Sequence, residues 1–247
     1  MGMTIGYLTD IHLRKEVPGT SVMEARHCRK MAELLPKALA RICRQSPDMI
    51  VCTGDVLDVA AGPGAAQDLR LCKELFDDCG IAYVVLPGNH DPLPDDFYRV
   101  FPVPQERILL NNCELISFYE DACFNGEQSS KRSERSMHVM VDLLIEAKCR
   151  REATFLFQHY LIYPEHNEGF PHNYQNDGDI RSIMERSDRR LVSVSGHYHP
   201  GIPMTNNGGV SYFAGRAFCE PPYTHYIIST SRGETIIEEL ELGGAEL

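Results

Sequence analysis

Three short apolar runs near the amino terminus each end in a cluster of polar residues, and this repetition is the strongest constraint on the fold. Residues 4–9, 49–53 and 81–86 have the length and apolar content of buried β-strands. Helical periodicity over residues 22–45 and 67–79 lies between them. Strands that alternate with helices in this way form parallel crossover units, so the sequence predicts an α/β fold.

The polar clusters occupy equivalent places at the ends of the three predicted strands. Residues 10–12 (Asp-Ile-His) follow the first strand, 54–58 (Gly-Asp-Val-Leu-Asp) the second, and 88–91 (Gly-Asn-His-Asp) the third, after one proline. In open α/β sheets, ligands bind beyond the carboxyl ends of the strands. We therefore expect the three clusters to converge on one site.

The second half of the chain has two more predicted strands that end near histidine. Residues 154–157 lead into Gln158-His159, and residues 191–195 lead into Gly196-His197-Tyr198-His199. The other predicted elements are strands at 107–110 and 114–118, a loop at about 121–131, helices at 134–149 and 179–186, and antiparallel tail strands at 210–214, 225–229 and 234–240. Parallel units followed by a strand-rich tail suggest two sheets packed face to face with helices outside, and 247 residues suffice for a single domain over 1–247.

The polar clusters have the composition of a metal site. Carboxylate, imidazole and amide oxygen together suit divalent ions such as Mn²⁺, Fe²⁺, Zn²⁺ or Co²⁺. In Asp10-x-His12 and His197-x-His199, the spacing of two places both side chains on one side of an extended segment, as a shared metal site requires. The sequence thus predicts a metal centre built from residues that lie far apart in the chain.

The five blocks, taken in order, resemble the signature of the calcineurin-like metallophosphoesterase superfamily. That signature is D-x-H, G-D-x-x-D, G-N-H-D/E, a single His, and G-H-x-H, and it spans Asp10 to His199 here. The resemblance implies a phosphoesterase with two metal ions. It also supports a four-layer α/β/β/α sandwich of two mixed sheets flanked by helices.

The resemblance further implies how the ligands are shared. One metal would be held by Asp10, His12, Asp55 and His199, and the other by Asp55, Asn89, His159 and His197, with Asp55 as the bridge. A metal-bridging hydroxide would then attack phosphorus in line, without a protein nucleophile. His159 is a single residue with His138, His166 and His172 nearby, and its place at a strand end favours it.

His90 is the polar residue that the metal assignment leaves over, and we expect it to protonate the leaving oxygen. Asp58 resembles the carboxylate that fixes the tautomer and charge of this histidine in the family. Asp91 is a weaker candidate for support of the site.

Several features narrow the substrate. A formal charge of −11 argues against a nucleic-acid polymer as partner. Val59 stands where the protein Ser/Thr phosphatases of the superfamily have a phosphate-gripping Arg, which disfavours a phosphoprotein. The chain resembles small single-domain members, namely class III cyclic-nucleotide phosphodiesterases and manganese-dependent ADP-ribose/CDP-alcohol diphosphatases. The expected substrate is a small phosphodiester, phosphomonoester or nucleoside diphosphate derivative, with nucleotides among the candidates.

An aromatic-rich segment in the second half has two interpretations. Tyr160, Tyr163, Asn173 and Tyr174 either contact a base or ribose of the substrate or contribute packing.

One alternative to an enzyme is a protein-binding scaffold. Some relatives keep this fold as a protein-binding scaffold after losing metal ligands or the catalytic histidine, whereas every ligand position and His90 are filled here.

Nine cysteines without a C-x-x-C pair predict reduced thiols, and the sequence has no run of about 20 apolar residues. These features predict a cytoplasmic protein without membrane contact.

Overall fold

The computed structural model describes residues 2–121, 130–146, 151–231 and 233–243, which form two mixed β-sheets. The first sheet has the strand order β11-β10-β1-β2-β3. Its strands are β1 (Met3–Leu8), β2 (Met49–Cys52), β3 (Tyr83–Val85), β10 (His225–Ser231) and β11 (Glu234–Leu240). Strands β1, β2 and β3 are parallel, whereas β10 and β11 run antiparallel to their neighbours.

The register of the three parallel strands aligns their carboxyl ends. Leu8 pairs with Cys52, and Cys52 pairs with Val85. Each of these residues is the last of its strand, and the polar clusters follow within a few residues. The clusters at 10–12, 54–58 and 88–91 therefore emerge at one edge of the sheet, as the sequence predicts.

The second sheet has the strand order β4-β5-β6-β7-β9-β8. Its strands are β4 (Arg107–Leu110), β5 (Cys113–Ser117), β6 (Ala153–Phe157), β7 (Leu191–Ser195), β8 (Ile202–Asn207) and β9 (Val210–Ala214). Strands β5, β6, β7 and β9 are parallel, and β4 and β8 form antiparallel edges. Phe157 pairs with Val194, so the segments that carry His159 and His197 also leave their sheet side by side.

Helices cover the outer faces of both sheets. Apolar side chains such as Tyr7, Val51 and Phe155 fill the space between the sheets. The helices are α1 (Met31–Cys43), α2 (Ala65–Asp77), the one-turn α3 (Pro94–Phe97), α4 (Glu134–Val141) and α5 (Asp177–Glu185). Helices α1 and α2 share a core with the first sheet, and α4 and α5 share one with the second. The predicted four-layer α/β/β/α sandwich is confirmed.

The largest difference from the predicted elements lies before α1. The helix expected over 22–45 begins only at Met31, after a 3₁₀ turn at Cys28–Lys30, and residues 20–27 form a loop. Tertiary hydrogen bonds hold this segment, because His27 N–H donates to the Cys219 carbonyl and the Arg29 guanidinium donates to the Val17 carbonyl. Local periodicity carries no information about such distant partners.

Smaller differences concern edge and boundary elements. Strand β8 was not predicted, because its residues are mostly exposed and polar and it is an edge strand with Pro203. The helix expected over 134–149 consists of α4 and a π-helical turn at Asp142–Glu146, and residues 147–150 lie outside the described residues. The predicted loop at 121–131 also falls largely on undescribed residues, 122–129.

Two further predictions concern the environment of the chain. The seven cysteines in the described ranges are free thiols, and Cys123 and Cys149 lie outside those ranges. None of the helices in the described ranges is long and apolar enough to span a bilayer.

Candidate metal centre

Four of the predicted ligands have a left-handed backbone conformation that residues with a side chain seldom adopt. The φ angles are 53° at Asp10, 48° at His12, 51° at Asp55 and 66° at His197. Each such residue costs on the order of 1–3 kcal/mol, and such residues cluster at functional sites. Backbone bonds hold the turns, since Asp10 N–H donates to the Gly54 carbonyl at 3.0 Å and His12 N–H donates to the Asp55 carbonyl at 2.9 Å. The strained turns point the ligand side chains away from the strand and toward one centre.

The first cluster contains Asp10, His12 and His199. Asp10 Oδ1 lies 3.9 Å from His12 Nε2 and 3.7 Å from His199 Nε2, and the two nitrogens are 3.3 Å apart. Asp10 Oδ2 accepts hydrogen bonds from Thr9 Oγ1 and the His197 N–H, whereas Oδ1 is buried without a hydrogen-bond partner among the described residues. An unpaired buried carboxylate oxygen that faces two imidazole nitrogens fits a bound cation.

The second cluster contains Asp55, His159 and His197. Asn89 joins it, because Asn89 Oδ1 lies 3.1 Å from His159 Nε2. His159 Nδ1 donates to the Thr53 carbonyl at 2.7 Å, which leaves Nε2 for a metal.

One oxygen of Asp55 lies between the two clusters. Asp55 Oδ2 is 3.5 Å from His12 Nε2 and 3.4 Å from His159 Nε2. Its other oxygen, Oδ1, accepts the His90 N–H at 2.8 Å. The structure therefore brings all seven predicted ligands together, and their donor atoms fit two divalent ions that share this carboxylate.

The charges of the centre follow from burial and pairing. Burial opposes the charged form of His159, but the Asp55 carboxylate outweighs this and raises the pKa of His159 to about 9. Burial lowers the pKa of His12 and of His197 well below the usual histidine value. These two rings are thus neutral, as metal ligands must be, and a metal at His159 competes with a proton.

Glu220 supports the first cluster and was not predicted as a site residue. His199 Nδ1 lies 2.5 Å from Glu220 Oε1, and this hydrogen bond lowers the pKa of Glu220. A carboxylate in this position fixes the ring and makes the other imidazole nitrogen a better ligand. In the sequence, Glu220 is marked only by the two prolines that follow it, Pro221 and Pro222, which are typical of a turn.

Asp91 joins the loops that follow β2 and β3. Its carboxylate accepts the N–H groups of Val56, Leu57 and Gly88 at 3.0, 2.9 and 2.9 Å. Burial, with the nearby Asp55 carboxylate, raises the pKa of Asp91 to about 7. Asp91 thus positions Asp55 and Asn89 through the backbone, a larger part than the sequence suggested.

His90 lies beside the first cluster, and its partner is not the one expected. His90 Nδ1 donates to the backbone carbonyl of Asp58 at 2.8 Å. The Asp58 carboxylate instead accepts from Arg14 Nη1 at 2.8 Å and from Ser21 Oγ at 3.1 Å. The expected carboxylate–histidine contact is therefore replaced by a carbonyl contact, because a guanidinium is the stronger partner for the carboxylate.

Of the two interpretations of Tyr160, Tyr163, Asn173 and Tyr174, the described contacts favour packing. Tyr160, Asn173 and Tyr174 are buried and Tyr163 is half-buried. Tyr160 packs its ring on His197 at 4.3 Å, and Tyr174 donates to Asp121 Oδ2 at 3.3 Å. Asn173 Oδ1 accepts the His166 N–H and so orders the loop. None of the four is among the residues that line the cavity above the metal centre.

That cavity has a volume of about 370 Å³. Its walls come from the ligand clusters and from two irregular segments, 20–27 and 164–172, together with the turn after β7. The lining residues are Met23, Arg26, Asp55, Asn89, His90, Phe170, His172, His197, Tyr198, His199 and Pro200. Sequence reasoning missed Arg26, because the segment that carries it was predicted to be helical.

Known proteins resemble the chain in sequence pattern and in fold. Residues 3–229 match the family model for calcineurin-like phosphoesterases. The fold is similar to that of a dimetal phosphatase from Danio rerio, with a TM-score of 0.77, 15% identity, and coverage of 96% of this chain and 95% of that one. No curated protein sequence matches the chain.

Two further solved structures share the fold. The calcineurin-like phosphoesterase YfkN from Bacillus subtilis has a TM-score of 0.53 at 12% identity, over 99% of this chain and 92% of that one. A 5′-nucleotidase from Candida albicans has a TM-score of 0.54 at 12% identity, over 99% of this chain and 52% of that one.

Proposed function

The chain belongs to the calcineurin-like phosphoesterase family and is a metal-dependent phosphoric ester hydrolase, and we propose that it cleaves a small phosphorylated molecule at the strand-end centre. The observation that carries this proposal is the position of Asp55 Oδ2, 3.5 Å from His12 Nε2 and 3.4 Å from His159 Nε2. A carboxylate oxygen placed between two ligand clusters suits a pair of ions at close distance.

We assign Asp10, His12 and His199 to one ion, Asn89, His159 and His197 to the other, and Asp55 to both. Divalent ions held by these residues would supply an activated water and would neutralise charge on the phosphoryl group. The chain contributes the alignment, since the Thr53 carbonyl and the Glu220 carboxylate fix the rings of His159 and His199.

His90 is proposed to protonate the leaving oxygen. The Asp58 carbonyl holds Nδ1–H, so Nε2 is the nitrogen available at the cavity, and His90 lines that cavity. A general acid of this kind contributes about 10²- to 10⁴-fold to a rate. Asp58 acts on His90 through its backbone in this proposal.

The residues that line the cavity favour a small substrate with a flat group beside the phosphate. Phe170 and Tyr198 form an aromatic wall, with His172 between their rings at 5.0 Å from each. Aromatic walls stack flat groups such as nucleobases. A volume of about 370 Å³ suits a ligand of small-molecule size.

Hydrolysis by metal-stripped protein tests the proposal. The protein is reloaded separately with Mn²⁺, Fe²⁺, Zn²⁺, Co²⁺ and Mg²⁺ and assayed with bis-p-nitrophenyl phosphate, p-nitrophenyl phosphate, cyclic AMP and ADP-ribose. We expect no activity after chelation and recovery with one or more of the imidazole-preferring ions. Hydrolysis that persists in the chelated protein, or two bound ions with no hydrolysis of any phosphate ester, would contradict it.

A further inference from the structure

We propose that Arg26 binds a non-bridging oxygen of the substrate phosphoryl group, with Asp58 as the residue that positions it. The inference rests on the proposed function for the identity of the substrate as a phosphate ester. Arg26 lies in the loop of residues 20–27, which no sequence pattern connects with the metal centre.

The guanidinium lies between the proposed acid and the first ligand cluster. Arg26 Nη1 is 3.4 Å from His90 Nε2, and Nη2 is 3.5 Å from His199 Nε2. Its side chain is only 10% exposed, and it lines the cavity. A phosphoryl group that reaches both His90 and the metal ligands therefore lies within reach of this guanidinium.

The donors of Arg26 are not satisfied by a carboxylate in the described part of the chain. The closest ion pair is Asp58 Oδ1 at 4.0 Å, beyond hydrogen-bond distance. Arg26 Nε is buried and has no partner among the described residues. The contacts to His90 and His199 are long and set a cation against imidazole rings. A buried guanidinium with such weak partners favours an anion, and its planar fork matches two oxygens of a phosphate.

Arg26 differs in charge from the other residues that line the cavity. Of the cavity-lining residues that the structure describes, Arg26 alone carries a permanent positive charge. The whole chain has a formal charge of −11, so attraction of an anion depends on local cations. Metal ions would attract the substrate to the ligand clusters, and Arg26 would bind the oxygen on the open side.

The segment before Arg26 is held in place by many hydrogen bonds. The buried carboxylate of Asp68 accepts the N–H groups of Lys15, Glu16 and Val17. The Arg29 guanidinium donates to backbone carbonyls of the same segment, including those of Lys15 and Val17. On the other side of Arg26, His27 N–H donates to the Cys219 carbonyl. The loop that carries Arg26 is thus held at both ends, which lowers the entropy lost when the guanidinium binds an anion.

Asp58 connects this segment to the site. Its carboxylate accepts from Arg14 Nη1 at 2.8 Å and Ser21 Oγ at 3.1 Å, and it attracts Arg26 from 4.0 Å. Its backbone carbonyl binds His90 instead. A change of the side chain therefore separates the two roles, because Asp58→Asn leaves the carbonyl in place.

The first test compares Arg26→Ala, Arg26→Lys and the matched charge control Arg99→Ala in the metal-loaded protein. Arg99 is 77% exposed and pairs with Asp96 outside the cavity. Binding of inorganic phosphate is measured by calorimetry, metal content by elemental analysis, and kcat/KM with the best ester found for the wild type. We expect Arg26→Ala to weaken phosphate binding and lower kcat/KM by about 10- to 100-fold with metal content unchanged.

The three variants separate the charge of Arg26 from the shape of its guanidinium and from a general loss of positive charge. Arg26→Lys should recover part of the loss, because lysine keeps the charge but not the fork. Wild-type phosphate affinity in Arg26→Ala, or an equal loss in Arg99→Ala, would overturn the assignment, as would loss of metal from both Arg26 variants. Phosphate binding needs no turnover, so an Arg26-dependent affinity in a protein that hydrolyses no ester would count against the proposed function alone.

The second test uses Asp58→Asn and separates positioning of Arg26 from support of His90. We expect weaker phosphate binding, by about 3- to 10-fold, with an unchanged pH profile of kcat. Unchanged phosphate binding together with a shifted pH profile would assign the carboxylate to His90 and overturn its part in the inference.

Discussion

The floor and the rim of the cavity are built in different ways. The floor is formed by the two ligand clusters, of which Asp55, Asn89, His197 and His199 line the cavity. All seven proposed ligands lie within or directly after turns at the ends of β1, β2, β3, β6 and β7. The rim consists of segments 20–27 and 164–172, which have no regular strand or α-helix. The floor is held by strand register and by strained backbone. The rim depends on individual hydrogen bonds, such as those that His27 N–H donates to the Cys219 carbonyl and His166 N–H donates to Asn173 Oδ1. We therefore expect metal binding to depend on the floor, and contacts to the bound substrate, including the Arg26 contact, to depend on the rim.

The largest expected effect is at the shared ligand of the floor. Asp55→Asn should lose metal and lower kcat/KM by about 1,000-fold or more, because charge stabilisation by the ions is worth several kcal/mol. Elemental analysis and steady-state kinetics measure both. Retention of two ions with wild-type activity would show that Asp55 is not the bridge.

The next largest effect is expected at His90, and it distinguishes loss of the general acid from loss of a metal ion. His90→Asn should lower kcat by about 10²- to 10⁴-fold on esters with poor leaving groups, with metal content intact. The loss should be smaller with p-nitrophenyl esters, whose leaving group needs less protonation. An equal loss on both kinds of ester would argue against proton donation.

A smaller effect is expected where the floor is supported from outside. Glu220→Gln should weaken binding of one metal ion by about 10- to 100-fold, because the carboxylate that fixes His199 is lost. Metal titration with a competing chelator measures this affinity, and the second ion should serve as the internal reference. Equal weakening at both sites would indicate a general disturbance instead.

The smallest effects separate the rim from the packing behind it. Phe170→Ala should raise KM for an aromatic ester by about 5- to 10-fold, which is the lower end of the about 1–3 kcal/mol that stacking of a base contributes. Tyr174→Phe should leave KM unchanged and lower the free energy of unfolding by about 1 kcal/mol, since its hydroxyl donates to Asp121. Kinetics and urea unfolding check the pair. A raised KM in Tyr174→Phe would return that residue to the substrate site.

Prediction from the sequence succeeded where local pattern and regular structure coincide. The apolar runs before Asp10 and Asp55 form β1 and β2, and their alternation with helices indicates the α/β class. The four-layer sandwich needed the strand-rich tail and the family resemblance as well. It failed for segment 22–30, whose periodicity is compatible with a helix but whose backbone is held by distant partners. For Tyr160 and Tyr174 it left both interpretations open, because sequence does not distinguish an aromatic residue that packs from one that faces a ligand.

The sequence by itself determined the five polar blocks, the type of ligand atoms and the end of the first sheet at which three of these blocks meet. Strand ends that share a register must present their next residues together, so these outcomes need little more than periodicity and order. Only the tertiary structure decided that Asp55 Oδ2 lies between the clusters, that Asp58 turns its carboxylate to Arg14 and its carbonyl to His90, and that Arg26 reaches the cavity. Those contacts join residues that are far apart in the chain through irregular backbone, and no local pattern specifies which side chain fills such a space.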